Sequence, residues 1–234
     1  MKDKQFSEGL KSGIPIALGY LSVSFSFGML AVSKGVPVLS ALLTSMTNVT
    51  SAGQANGLII MAAVGSFIEL IICQIVINMR YALMSITLSQ KLDERINTPG
   101  RLFIAFGITD EIFAVMVSRK ERITLRFYSG LFLLPYFGWA LGTFLGAFFG
   151  NVLPSNITAV LGIALYGMFI AIIIPPAKQN RSVLCCIVIS AVLSTLVWFV
   201  PALKFISSGI SVIICAVIAS AFCAWKYPIE EDAG

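Results

Sequence analysis

The 234-residue sequence contains no histidine and few charged residues, which make up 12% of the chain. A typical soluble domain carries about 25% charged residues. Hydrophobic residues make up 58% of this chain, and its mean hydropathy is +0.93. This composition excludes an ordinary soluble domain. It predicts an all-α, polytopic membrane protein that forms a single transmembrane domain over residues 1–234.

The cysteines do not form the pattern of a disulfide framework or a metal site. There are five of them, all in apolar segments, and no Cys-x-x-Cys occurs. Because histidine is also missing, we expect no bound metal and no cofactor. The formal charge of +5 comes mostly from loops. No basic run is interleaved with aromatic residues, so nucleic-acid binding is not expected.

Motifs of soluble enzymes are also missing. The sequence has no Gly-x-Ser-x-Gly and no phosphate-binding Gly-x-x-x-x-Gly-Lys, and it offers no histidine as a general base. An intramembrane hydrolase would need a nucleophile beside a base, and the sequence does not assemble such a pair. We therefore expect that the protein is not an enzyme.

Polar and proline-containing stretches divide the chain into about eight apolar segments that could span a membrane. The region 38–88 is long enough for two crossings. We predict that it divides within 48–57, whose many Thr, Ser, Gly, Gln and Asn residues are typical of a broken or re-entrant element. The other predicted segments are 13–31, 102–118, 127–150, 157–174, 183–200 and 205–225.

The distribution of basic residues predicts the orientation in the membrane. If all eight segments cross, ten Lys and Arg residues fall on the side of the N-terminus and of the loop 119–126, and five fall on the side of the loop 90–101. Basic loops stay in the cytoplasm. We therefore expect both termini and the loop 119–126 to be cytoplasmic, with the first segment retained as a membrane helix.

A series of glycines predicts a tight helix contact. Gly138, Gly142, Gly146 and Gly150 repeat every four residues and share one helix face. Small residues at that spacing let two helices approach closely.

Four charged residues fall inside the predicted segments: Glu69, Arg80, Asp110 and Glu111. A charge at the bilayer centre costs about 2.5–3.5 kcal/mol and needs a partner or a watery cavity. Two interpretations of Asp110 and Glu111 remain open: an ion pair with Arg80 or Arg101 that fixes helices, or a site for a substrate ammonium group or a proton. Glu69 is interpreted as a structural or proton-carrying acid, and Arg80 as a residue that can also reach the membrane interface.

Several motifs resemble those of the AzlC family of branched-chain amino acid exporters. The residues Asn-Met-Arg-Tyr-Ala-Leu-Met-Ser at 78–85 resemble its Asn-x-Arg-Tyr signature, and Thr-Asp-Glu-Ile-Phe-Ala at 109–114 resembles its Asp-Glu motif. The polar stretch from Ser45 to Gln54 resembles the family's polar segment that ends in Gln, and Gly-Met-Phe-Ile-Ala at 167–171 resembles a motif of its sixth segment. The four motifs occur in the family's order along the chain. The first segment departs from the family's Gly-x-x-Pro-Phe-Gly, since it has Gly-Tyr-Leu-Ser-Val-Ser at 19–24.

The resemblance implies a transporter subunit in the cell membrane of a prokaryote. It would export Leu, Ile, Val, Met or related apolar amino acids as a secondary transporter, together with a small membrane subunit of the AzlD type. The expected substrate-binding residues are Gln54, Asn78, Arg80, Asp110 and Glu111, and the candidates for proton coupling are Glu69, Asp110 and Glu111. The alternative is a structural or channel-like subunit whose intramembrane charges only stabilise helix packing.

Overall fold

The protein is helical throughout the part of the chain that the computed structural model describes, residues 2–150, 170, 173–174, 176–203 and 205–228. The α-helices are α1 (Lys2–Ser33), α2 (Val38–Thr47), α3 (Ser51–Ala62), α4 (Phe67–Ser89), α5 (Thr98–Phe106), α6 (Asp110–Ser118), α7 (Leu125–Gly150), α8 (Arg181–Phe199) and α9 (Ser208–Lys226). The predicted segment 157–174 and the motif at 167–171 lie almost entirely outside the described residues.

Five of these helices, α1, α4, α7, α8 and α9, are long and apolar enough to cross a membrane. The all-α membrane class is therefore confirmed. The count of eight segments is not confirmed, because α2, α3, α5 and α6 have only 10, 12, 9 and 9 residues. A helix needs about 20 residues to cross the hydrocarbon core.

The chain forms two compact units. Unit 1 comprises Met1–Ala55 and Asn78–Leu165, and unit 2 comprises Asn56–Ile77 and Tyr166–Gly234. Two of the three boundaries fall inside α3 and α4, so each of these helices contributes residues to both units. In unit 2, α8 and α9 pack against each other.

Unit 1 is built on the parallel pair α1 and α7, which stay in close contact along their lengths. The predicted glycine face forms this contact. A Cβ atom on Gly142 or Gly146 would collide with the backbone of α1 at Leu21 or Phe25, and Gly138 meets α1 at Ala17. The expectation of a tight helix contact is thus confirmed, and the partner is α1 of the same chain.

Polar contacts hold together the segments at one end of unit 1, which we call the basic end. It consists of the start of α1 (Gln5 and Glu8), the loop 90–97 and the loop 119–124. Lys91 Nζ donates to the carbonyl oxygens of Val117 and Arg119, and Arg122 lies 3.1 Å from Glu94. Arg119 pairs with Glu8 at 3.2 Å, and Thr124 bonds to Gln5 at 2.9 Å.

The predicted crossing 102–118 is therefore wrong. Both loops that flank it lie at the basic end, whereas a crossing would place them on opposite sides. Helices α5 and α6 have 9 residues each, which makes each about 14 Å long, or half the hydrocarbon thickness. The chain enters with α5, breaks at residues 107–109 and returns with α6.

The second broken element enters unit 1 from the other end. Gly35, which has a positive φ of 82°, turns the chain after α1 so that α2 runs back along α1 and α7. The helix stops at Thr47, and α3 begins at Ser51. The prediction of a broken element within 48–57 is confirmed, although the break is limited to 48–50 and residues 51–57 are helical.

Candidate functional site

The break between α5 and α6 places two acids at the start of a helix. Gly107 ends α5, and a Cβ atom there would collide with the Tyr128 hydroxyl and the Phe132 ring. Thr109 caps α6 by accepting the Ile112 N–H at 3.3 Å. Asp110 and Glu111 therefore occupy the first turn of α6, where the helix dipole favours negative charge. The predicted segment 102–118 would place them inside a continuous helix, and the structure corrects this by placing them directly after a break.

Asp110 pairs with Arg80, and the distance between Asp110 Oδ2 and Arg80 Nη1 is 2.7 Å. The two side chains remain 32% and 38% exposed, so the pair can be reached from outside the unit. Arg80 also donates to the Tyr81 hydroxyl at 3.3 Å. Of the two cations expected for this pair, Arg80 is the partner. Arg101 instead donates from Nε to the Ile96 carbonyl at 3.2 Å.

Glu111 has a different partner. Its Oε2 lies 2.6 Å from the Tyr20 hydroxyl, which also lies 2.5 Å from Thr109 Oγ1. Tyr20 is 7% exposed and comes from the middle of α1. Adjacent acids are thus directed to different groups, Asp110 to a cation and Glu111 to a phenol, as their separation of about 100° around the helix allows.

Gln54 lies in a buried polar network at the other break. It is 2% exposed. Its Nε2 donates to Ser45 Oγ at 2.8 Å, its Oε1 accepts from Trp139 Nε1 at 3.3 Å, and Ser45 Oγ lies 2.7 Å from Thr143 Oγ1. Both polar atoms of Gln54 are therefore engaged in joining α2, α3 and α7, and its expected role in substrate binding stays a prediction.

The two breaks meet at one pair of aromatic side chains. Val49, in the α2–α3 break, packs in a buried cluster with Tyr20 and Trp139. The rings of Tyr20 and Trp139 are 5.3 Å apart in an edge-to-face arrangement. Tyr20 thus contacts residues of both breaks, and Trp139 bonds to Gln54. The structure joins the acids of α6 to the network around Gln54 through these two rings.

Asn78 and Glu69 are the two expected site residues on α4 besides Arg80. Asn78 precedes Arg80 by two residues on α4, so the two side chains leave the helix on nearly opposite faces. Glu69 belongs to unit 2, where its Oε1 accepts from the Ser207 hydroxyl at 2.5 Å and from the Gly209 N–H at 3.0 Å. Glu69 therefore joins α4 to the first turn of α9.

Sequence reasoning missed Tyr20 and Trp139. The available signal was an aromatic residue with a polar atom inside an apolar segment, since such side chains find a hydrogen-bond partner when they are buried. The segments have several Tyr and Trp residues, and only the folded contacts distinguish these two. Among the residues that the structure describes, no group of three or more His, Cys, Asp or Glu side chains could hold a metal ion.

Comparison with known proteins gives one family and several membrane relatives. The family model described as AzlC protein matches residues 15–153. An uncharacterised membrane protein of Archaeoglobus fulgidus is 32% identical over 182 residues, which cover 77% of this chain and 80% of the relative. The inner membrane protein YgaZ of Escherichia coli is 27% identical, with 76% of this chain and 75% of the relative covered. No solved structure matches the chain significantly.

Proposed function

Since the chain belongs to the AzlC family, we propose that this multi-pass membrane protein is the large subunit of a secondary transporter, and not an enzyme. The proposed substrates are branched-chain or related apolar amino acids, exported from a prokaryotic cell. The observation that carries this proposal is the meeting of two helix breaks beside the Arg80–Asp110 pair. Transporters bind substrates and ions at broken helices near the membrane midplane.

The depth of the pair fits a site near the midplane. Arg80 lies nine residues before the end of α4, and Asp110 lies eight residues before the end of α6. Both helices end at the basic end of unit 1. At 1.5 Å per residue the two side chains leave their helices about 12–14 Å inside that end, which is close to half the hydrocarbon thickness.

The chemistry fits a zwitterion. Every apolar amino acid carries one carboxylate and one ammonium group. The carboxylate can take the place of Asp110 on Arg80, while the ammonium group meets Asp110 or Glu111. When the ammonium group meets Asp110, the exchange leaves Arg80, Asp110 and both substrate charges paired, so the site avoids the cost of an isolated charge in the membrane. The amino acid's apolar side chain would then lie against the apolar surroundings of the two breaks.

The orientation and the partner are further parts of the proposal. The basic end carries Lys4, Lys91, Arg95, Arg119, Lys120 and Arg122. The opposite end of α1 is followed by Lys34. We place the basic end and the N-terminus in the cytoplasm, since basic loops stay on that side. A small AzlD-type subunit would complete the transporter, and Asp110, Glu111 and Glu69 are the acids to test for proton coupling.

Efflux of amino acids from cells tests the proposed function. Cells that lack their own exporters and express the chain with an AzlD-type partner are loaded with dipeptides, and the released amino acids are measured. We expect export of leucine, isoleucine, valine or methionine, and none of lysine or glutamate. Export of neither group by cells that contain the folded complex would favour the alternative, a subunit whose charges only stabilise helix packing.

A further inference from the structure

We propose that Tyr20 is the positioning residue of this site, because it holds Glu111 in place and joins the two helix breaks. Asp110 is then the acid that gives up its bond to Arg80 and binds the substrate ammonium group instead. The effect of Tyr20 on transport rests on the proposed function. The hydrogen bond between Tyr20 and Glu111 can be tested separately.

The hydrogen bonds around Tyr20 have one consistent direction. Its hydroxyl has a single proton but lies within bonding distance of both Thr109 Oγ1 and Glu111 Oε2. An ionised carboxylate can only accept, so Tyr20 donates to Glu111. Tyr20 is also the donor to Thr109 Oγ1, so its one proton is shared between two acceptors, and the same Thr109 Oγ1 accepts the Ile112 N–H as the cap of α6. The chain of bonds therefore runs from the start of α6 through α1 and back to α6.

The ring of Tyr20 provides the second connection. It packs with Val49 of the α2–α3 break and edge-to-face on Trp139, whose indole donates to Gln54 at the start of α3. A displacement of Glu111 or of the α6 cap would disturb this packing, and a displacement of α3 would disturb it from the other side. Tyr20 is therefore placed to make the two breaks move together.

The division of the two acids follows from these contacts. Glu111, although itself exposed, is bonded to a neutral phenol on a buried part of α1. Asp110 is bonded to a partly exposed guanidinium group, which an incoming carboxylate can bind instead. Loss of the Tyr20 hydroxyl would release Glu111, so that two acids would compete for Arg80 and for the substrate ammonium group.

Tyr20→Phe is the test, with Tyr128→Phe as the matched control. Tyr128 is also buried in unit 1 and lies beside Gly107 of the same break, but its hydroxyl donates to the Phe103 carbonyl at 3.2 Å and to neither acid. Both variants lose one hydroxyl and keep the ring. Folded protein in the membrane is quantified for each variant, which separates a loss of function from a loss of protein.

The first measurement does not need a substrate. The complex is treated with dicyclohexylcarbodiimide, which modifies carboxyl groups in apolar surroundings, and mass spectrometry gives the rate at Glu111. We expect a severalfold faster modification of Glu111 in Tyr20→Phe and no change in Tyr128→Phe. Equal rates in the wild type and in Tyr20→Phe would overturn the inference, whatever the protein transports.

The second measurement is the concentration dependence of leucine transport in a double-mutant cycle with Glu111→Gln. A hydrogen bond to a charged group is worth about 1.5–3 kcal/mol, or roughly tenfold or more. We therefore expect Tyr20→Phe to raise the half-saturating leucine concentration roughly tenfold in the wild-type background. In the Glu111→Gln background we expect little further effect, and an equal loss in both backgrounds would contradict positioning through Glu111. Tyr20→Phe could change the carbodiimide rate at Glu111 while the wild type does not transport leucine. That result would reject the proposed function but support the contact between Tyr20 and Glu111.

Discussion

The four charged residues predicted inside the apolar segments, Glu69, Arg80, Asp110 and Glu111, each have a specific partner in the structure. Arg80 binds Asp110, Glu111 bonds to Tyr20, and Glu69 bonds to the first turn of α9. This follows from the cost of a lone charge in hydrocarbon. The partners also separate the roles. The Arg80–Asp110 pair is partly exposed beside two helix breaks, whereas Glu69 serves a helix cap in unit 2.

Substitution of Glu69 distinguishes a cap from a proton carrier. Glu69→Ala removes the acceptor for Ser207 and Gly209, and we expect a loss of about 1 kcal/mol in stability, the usual effect of a lost cap. Glu69→Gln keeps an amide oxygen as acceptor and should retain the melting temperature of the wild-type complex in detergent. The measurement is thermal unfolding of both variants beside the wild type.

Transport by Glu69→Gln completes this test. If Glu69 only caps α9, Glu69→Gln transports leucine with the same dependence on a proton gradient as the wild type. If it carries the coupled proton, Glu69→Gln is as stable as the wild type but its transport no longer responds to the gradient. A drop in stability as large as that of Glu69→Ala would contradict the role of the carboxylate oxygen as a simple acceptor.

At the scale of elements, the main finding is that unit 1 combines continuous helices with two broken ones. The pair α5 and α6 returns to the basic end, and α2 approaches from the opposite end. Each break exposes backbone groups that a helix interior would satisfy. Side chains form hydrogen bonds with some of these backbone groups: Tyr136 donates to the Met46 carbonyl at 3.1 Å, and Thr109 caps α6.

Cysteine labelling tests the return of α5 and α6. In a chain without its native cysteines, Arg95→Cys and Lys120→Cys place one thiol in each loop of the basic end, and Lys34→Cys marks the other end of α1. All three positions are exposed. We expect a membrane-impermeant maleimide to label Lys34→Cys in intact cells, and to label the other two only in inverted vesicles. Labelling of positions 95 and 120 from opposite sides would restore the crossing that the structure excludes.

The contact between α1 and α7 gives a prediction about stability. A Cβ atom at Gly146 would collide with the Phe25 backbone, whereas one at Gly19, on α1, has nothing within 4 Å. Gly146→Ala should cost about 1–3 kcal/mol by overpacking. Gly19→Ala should be neutral or stabilising by up to about 1 kcal/mol, because alanine favours the helix. The melting temperatures of the two variants provide the comparison, and equal values would argue against the close contact.

At the scale of the whole molecule, the all-α membrane class and most of the helices could be predicted from the sequence, but the path of the chain could not. Composition and segment length are enough for α1, α4, α7, α8 and α9, since long apolar helices follow from hydropathy alone. Hydropathy does not distinguish one crossing from two half-length helices that return. The segment 102–118 has a suitable length for a crossing, and only the contacts of Lys91 and Arg119 reveal its return.

The candidate site was predictable in part for a similar reason. The charges Arg80, Asp110 and Glu111 were identifiable because they are rare in apolar segments. Their pairing depends on the break at residues 107–109, which turns the two acids toward different helices. Tyr20 carries no charge and lies in the segment that departs from the family pattern, so its role follows only from the contacts of the folded chain.

The most direct test of the account is leucine exchange by a variant in which the central ion pair is made neutral, Arg80→Gln with Asp110→Asn. Replacement of both partners leaves no unpaired charge, so an ion pair that only holds helices together can be removed at little cost. We predict that the reconstituted complex with both substitutions is folded and present at the wild-type level, and that its exchange of labelled leucine is lost while the wild type exchanges it. Leucine exchange by the double variant at the wild-type rate would contradict the account, because the pair would then serve packing alone.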